Sequence, residues 1–123
     1  MQTPLQIVFR NVHRSEAVAE KVRQRVQWLE RHGEELISCR VAVEAPHRHH
    51  HRGNLYRVRI DLRVRGAEIV VGRPHDLHLA HRDVQVAVRD AFDEARRRLE
   101  EYSRRRRDLI RVRAPEIPLP EAI

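Results

Sequence analysis

Residues 83–107, DVQVAVRDAFDEARRRLEEYSRRRR, constrain this chain more than any other stretch. Val84, Val88, Ala91, Phe92, Ala95, Leu99 and Tyr102 recur at helical spacing and draw one apolar stripe down about six turns. Asp83 stands where an N-cap belongs, because its carboxylate can accept the unpaired N–H groups of the first turn. The other face is almost wholly charged and ends in four arginines, Arg104 to Arg107. Such a helix needs an apolar surface to lie on, and the rest of the chain must supply it.

The remaining pattern predicts a sheet. Leu5, Ile7 and Phe9 alternate with Gln6, Val8 and Arg10, which makes a first strand. Ser15 then caps a helix with Glu16 in its first turn, Gly33 as its stop, and Val18, Val22, Val26 and Leu29 as its buried stripe. Ile37, Cys39, Val41, Val43 and Ala45 are the inward positions of a second strand, broken by the polar hairpin loop PHRHHHRGN. In LYRVRIDLRVR, residues 55–65, Tyr56, Val58, Ile60, Leu62 and Val64 face one way. Arg57, Arg59, Asp61, Arg63 and Arg65 face the other. Gly66 permits a tight turn into a fourth strand, residues 67–71, which Gly72 and Pro74 end. From Asp108 the periodicity dissolves, and Pro115, Pro118 and Pro120 oppose further helix.

The order is β-α-β-β-β-α, an α+β fold. A strand–helix–strand crossover makes strands one and two parallel, and short connections make the others antiparallel. The result is a four-stranded mixed sheet with two helices packed on one face. Residues 1–107 form one domain, and 108–123 a Pro-containing, flexible tail.

The formal charge of +7, carried almost entirely by arginine, favours an anionic partner, with nucleic acid ahead of membrane. Biased codon usage accounts equally well for arginine-rich composition, so charge alone does not name the partner. A single cysteine, Cys39, in an apolar alternation reads as a small buried hydrophobe and suits a reducing compartment. The start already reads as a strand, and no long apolar run follows, so a soluble, cytoplasmic protein is expected.

Within the long helix eight arginines meet six acids, a net of +2. Asp93–Arg97, Glu94–Arg98, Glu100–Arg104 and Glu101–Arg105 sit at the favourable i, i+4 spacing, so a solvated face laced by weak ion pairs accounts for much of it. The run Arg104–Arg107 exceeds what a helix dipole attracts and reads as phosphate-contacting. The third strand presents a second basic surface, which Glu44 or Glu68 could neutralise in part across the sheet. His47, His49, His50 and His51 crowd one loop, and His75, His78 and His81 fall at three-residue intervals in another. Neither set has cysteine support or the supporting pattern of a designed metal site, so no metal and no cofactor are expected. Trp28, one turn from Arg25, either stacks on a base or closes the edge of a core. There is no Gly-rich phosphate loop, nucleophile elbow or HExxH, so no catalytic residues are predicted.

The element order, Asn11–Val12 before a Ser-capped helix, and DVQVAVRDAFDEARRRL resemble the ribosome hibernation promoting factors. That family includes the ribosome-associated inhibitor A and sigma-54 modulation proteins, and the resemblance spans roughly residues 5–107. It implies a fold like double-stranded-RNA-binding domains. It also implies a noncatalytic factor that binds small-subunit ribosomal RNA where messenger and transfer RNA would sit, blocking translation under stress or in stationary phase. Residue by residue, Arg25 falls where members commonly have lysine, and Arg97 matches a family arginine. Trp28, Glu94 and Glu101 stand at commonly basic positions. Arg89, Arg96 and Arg98 lie beside them, and Arg104, Arg105, Arg106 and Arg107 extend the basic end. The chain lacks the C-terminal dimerisation domain of long members and reads as a short type. The expected partner is therefore the small ribosomal subunit, with no membrane and no small-molecule substrate. Self-association through a strand edge as a weak homodimer stays open. So do two rival readings: a general basic RNA-binding module using the sheet face, and a His-loop metal-dependent regulator.

Overall fold

The computed structural model describes residues 3–32, 36–45, 55–73 and 79–113, with side chains to 109. Six elements follow in the expected order: β1 (Leu5–Arg10), α1 (Glu16–His32), β2 (Leu36–Glu44), β3 (Arg57–Val64), β4 (Ala67–Val71) and α2 (Val84–Arg113). The strands lie β1-β2-β3-β4 in one sheet. β1 pairs parallel with β2, Ile7 against Val41, while β2–β3 and β3–β4 are antiparallel, with Val41 opposite Ile60 and Leu62 opposite Ile69. The crossover rule and the short turn at Gly66 dictate this arrangement.

Both helices lie on one face, where their stripes meet the inward side chains of the sheet. Val18, Val22, Val26 and Leu29 of α1 pack with Cys39, Val41, Val43, Val58, Ile60, Leu62 and Val64. Val88, Ala91, Phe92, Ala95 and Leu99 of α2 complete this core. Phe92 is its largest fully buried side chain. Ala19 and Ala87, outside the stripes drawn from sequence, are buried too, because small residues let a helix approach its neighbours closely.

Local chemistry sets the helix starts. The Val18 N–H donates to Ser15 Oγ (3.2 Å), and the Gln85 and Val86 N–H groups donate to Asp83 Oδ1 (2.8 and 3.4 Å). The loop before α2 is pinned to the start of β3. Tyr56 and His81 exchange backbone hydrogen bonds of 2.7 and 3.0 Å, and His81 Nδ1 accepts the Asp83 N–H at 2.9 Å.

Three expectations need correction. Ile37 is not inward: the register slips between Leu36 and Ser38, so a bulge turns Ile37 out to 49% exposure and Leu36 in. The third strand is shorter than residues 55–65, since Leu55 is exposed and Tyr56 makes only an isolated bridge. The second helix does not stop at residue 107 but continues through Arg113. Proline acts on its own position and on the residue before it, so Pro115 leaves the backbone free to remain helical up to there. Gly33 and residues 114–123, with the predicted stop and tail, lie outside the described residues.

Candidate nucleic-acid interface

The two helices run side by side, and where they meet one aromatic ring collects cations from both. Trp28, half-buried and packed on the core, lies beneath the guanidinium groups of Arg25 from its own helix (5.2 Å to the ring centroid) and Arg96 from α2 (5.4 Å). Arg25 also reaches Asp93 across the seam at 3.9 Å, and Arg96 donates through Nε to Glu100 at 3.1 Å. The sequence places Trp28 near Arg25 and names Arg96 as a basic site residue, but it does not reveal that Arg96 lies over the Trp28 ring. The spacing of Arg25 and Trp28 was visible, whereas the neighbouring helix was not.

Successive helical residues turn by about 100°, so Arg89 and Arg107 project from the same flank of α2 as Arg96. Arg97 and Arg104, seven residues apart, follow the outer crest beside them. Together with Arg25, these side chains make one basic band along the seam and its continuation. Arg89 also meets Asp90 at 3.0 Å, yet it remains half exposed, as do Arg96 and Arg97.

The other predicted arginines lie elsewhere. Arg98 turns to the edge strand β4, donating from Nη1 to the Val70 carbonyl (2.6 Å) and from Nε to Glu94 (2.7 Å). It braces the helix against the sheet and covers a carbonyl of an edge strand. Arg105 shares that flank and meets Glu101 at 3.8 Å. Arg106 is partly buried on the side of the apolar stripe.

The ion pairs differ from simple i, i+4 spacing. Glu94–Arg98 and Glu101–Arg105 form as expected, but Arg97 turns back to Glu94 through Nε (3.1 Å) rather than to Asp93. Asp93 faces α1 and is taken by Arg25, while Glu100 is held by Arg96 beside the ring. This leaves Arg104 and Arg107 with no carboxylate in ion-pair reach among the described residues. Glu94, gripped by hydrogen bonds from Arg97 and Arg98, is pulled down to about 2.

On the open sheet face, Glu44 meets Arg57 at 3.5 Å, and Asp61 meets Arg59 of its own strand at 3.2 Å. Glu68 lies opposite Arg63 but makes no ion pair with it. Arg10, Arg40 and Arg63 have no carboxylate partner among the described residues.

Residues 46–54 and 74–78, with six of the loop histidines, lie outside the described residues. His81 has the structural task of seating the α2 cap. Among the described residues no group of three or more His, Cys, Asp or Glu side chains could hold a metal. None of their helices is long and apolar enough to cross a membrane. A groove of 520 Å³ between β1 and α1 is lined by Leu5, Ile7 and Val26, with Arg14 and Arg23 at its rim. Those cations are engaged by Glu16 and Glu20, and in the same groove Glu30 accepts hydrogen bonds from the Thr3 N–H (2.7 Å) and the Thr3 hydroxyl, which ties the start of the chain to α1.

No curated protein sequence matches the chain. The fold is similar to the Thermus thermophilus Protein Y N-terminal domain, with a TM-score of 0.64 at 17% identity over 82% of this chain and 99% of that one. It is also similar to a ribosomal subunit interface protein from Coxiella burnetii, with a TM-score of 0.61 at 14% identity over 81% and 97%. Identities this low speak for fold alone. In sequence, the model for "Sigma 54 modulation protein / S30EA ribosomal protein" matches residues 5–107, the span that holds the sheet, α1, α2 as far as Arg107 and the whole basic band. The chain therefore belongs to the sigma 54 modulation protein / S30EA ribosomal protein family.

Proposed function

We propose that this protein is a noncatalytic ribosome-associated factor that binds small-subunit ribosomal RNA in the messenger and transfer RNA channel and holds translation idle under stress. The observation that carries this reading is the basic band, in which Arg25 of α1, partly exposed, joins the arginines of α2 along one face of a family domain. Arginine forks on a rigid helix suit phosphate oxygens, and such contacts position a protein without any reaction. Inhibition then follows from occupancy: a folded domain in the channel excludes messenger and transfer RNA. Arg25, Arg89, Arg96, Arg97, Arg104 and Arg107 carry the contact, Arg105 and Arg106 support it from the adjoining flank, and Arg98 anchors the helix.

Co-sedimentation with purified small subunits across a salt series tests this. Saturation near one protein per subunit is expected, reduced by transfer RNA and resisted by unrelated duplex RNA. Reversing charge at Arg96, Arg97 and Arg104 together should remove binding while the folded circular dichroism spectrum is retained. Binding that survives this triple change refutes the helix face. Binding that never saturates and yields to any RNA refutes channel occupancy and leaves a general RNA-binding module. The unpaired Arg10, Arg40 and Arg63 of the sheet face would then be the contact.

A further inference from the structure

Trp28 stands at a position where a basic residue would serve phosphate binding directly, yet the ring is not free to act as a base-stacking platform. It packs on the core from one side, and two guanidinium groups lie over it within about 6 Å, the range in which a cation is attracted to an indole. The two cations come from different helices, so their spacing depends on how α1 and α2 pack. The ring touches both.

We infer that Trp28 is a positioning residue. It holds Arg25 of α1 and Arg96 of α2 as a preorganised pair that binds the sugar-phosphate backbone of ribosomal RNA. This rests on the ribosome-binding reading above. Arginine loses substantial rotamer freedom when a phosphate immobilises it, and a ring that already confines the guanidinium removes part of that cost before binding. Asp93 and Glu100 lie on the same two arginines, at 3.9 and 3.1 Å, and occupy their donors in the free protein. A phosphate displaces these carboxylates without displacing the ring, because the guanidinium edge donates while its face stays on the indole. The Trp28 position thus contributes through its neighbours rather than through a charge of its own.

The test uses the full chain and purified small ribosomal subunits. Trp28→Leu should weaken binding about tenfold, and Trp28→Phe, which keeps an aromatic face, should stay within about threefold of wild type. In an Arg25→Ala, Arg96→Ala background, Trp28→Leu should cause no further loss, since no pair remains to position; a purely structural role would instead add its full effect there. Melting temperatures of all variants are read alongside. If Trp28→Leu binds as wild type does, or its effect is undiminished in the double-alanine background, the inference falls alone. If wild-type protein shows no saturable binding to subunits, the ribosomal reading falls and takes this inference with it. Trp28 is the chain's single tryptophan, so its fluorescence reports the site directly. Subunit binding should change it in the wild type and leave it unchanged in the Arg25→Ala, Arg96→Ala variant.

Discussion

Gly72 offers the sharpest test of how the sheet is built. It follows β4 directly, is buried, and has φ +87°. A Cβ placed there would lie 2.2 Å from the Val58 carbonyl oxygen and 3.0 Å from Arg59 Cα, both backbone atoms of the adjacent strand. No side chain can rotate away to relieve that overlap, so Gly72→Ala must separate the end of β4 from β3. A left-handed φ costs an L-residue about 1–2 kcal/mol, and overpacking of this kind adds another ~1–3 kcal/mol. About 3 kcal/mol in total is a large share of the stability of a small domain, roughly 5–15 kcal/mol. At about 4 °C per kcal/mol, the midpoint of thermal unfolding should fall by ~12 °C. Gly66 is the control, with nearly the same φ (+86°) but only the tip of Tyr102, 3.2 Å away, near its absent Cβ. Gly66→Ala should therefore carry the backbone cost and only a small shift of the Tyr102 hydroxyl, which donates to the Arg65 carbonyl, about 1 kcal/mol or ~4 °C in all. Far-ultraviolet circular dichroism melts of the two variants decide the matter. Equal shifts would refute the claim that close approach of two backbones, rather than torsion, sets the demand for glycine at 72.

Two further outcomes follow from buried or paired groups. Glu94 is held down to about 2 in the folded protein against an ordinary 4.5, so its pairing with Arg97 and Arg98 stabilises the fold fully above about pH 4.5. That contribution is lost as pH falls toward 2, so the melting difference between wild type and Glu94→Gln should be constant at neutral pH and shrink in acid. A pH-independent difference would contradict it. Burial, with smaller contributions from Asp61 and Glu30, pushes the Cys39 thiol up to about 12. Native protein should resist thiol reagents at neutral pH and react only at the rate of unfolding. Rapid labelling of folded protein would overturn its placement in the core.

The predicted stripes explain why so much of this domain is legible in one dimension. Val18, Val22, Val26 and Leu29 at helical spacing, and Val58, Ile60, Leu62 and Val64 in alternation, all bury in one shared core. Local period thus determined both element type and inward face. Ser15 and Asp83 likewise announce their helices, because a cap bonds only to residues two or three positions away. Ile37 shows where period stops being enough. A bulge is a choice made between two paired strands, so alternation within one strand could not reveal it.

The interface divides in the same way. Sequence alone determined that the chain is basic, that its densest run of arginine, Arg104 to Arg107, falls on the long helix, and which family its pattern resembles. Only the tertiary structure decided which arginines act together. It joined Arg25 and Arg96 over Trp28, gave Asp93 to α1 rather than to Arg97, and turned Arg98 to the Val70 carbonyl. The physical reason is range. Stripes and caps depend on neighbours a few residues away along the chain. A guanidinium settles on whatever ring, carboxylate or carbonyl lies within a few ångströms in space, and the packing of α1, α2 and β4 sets those partners.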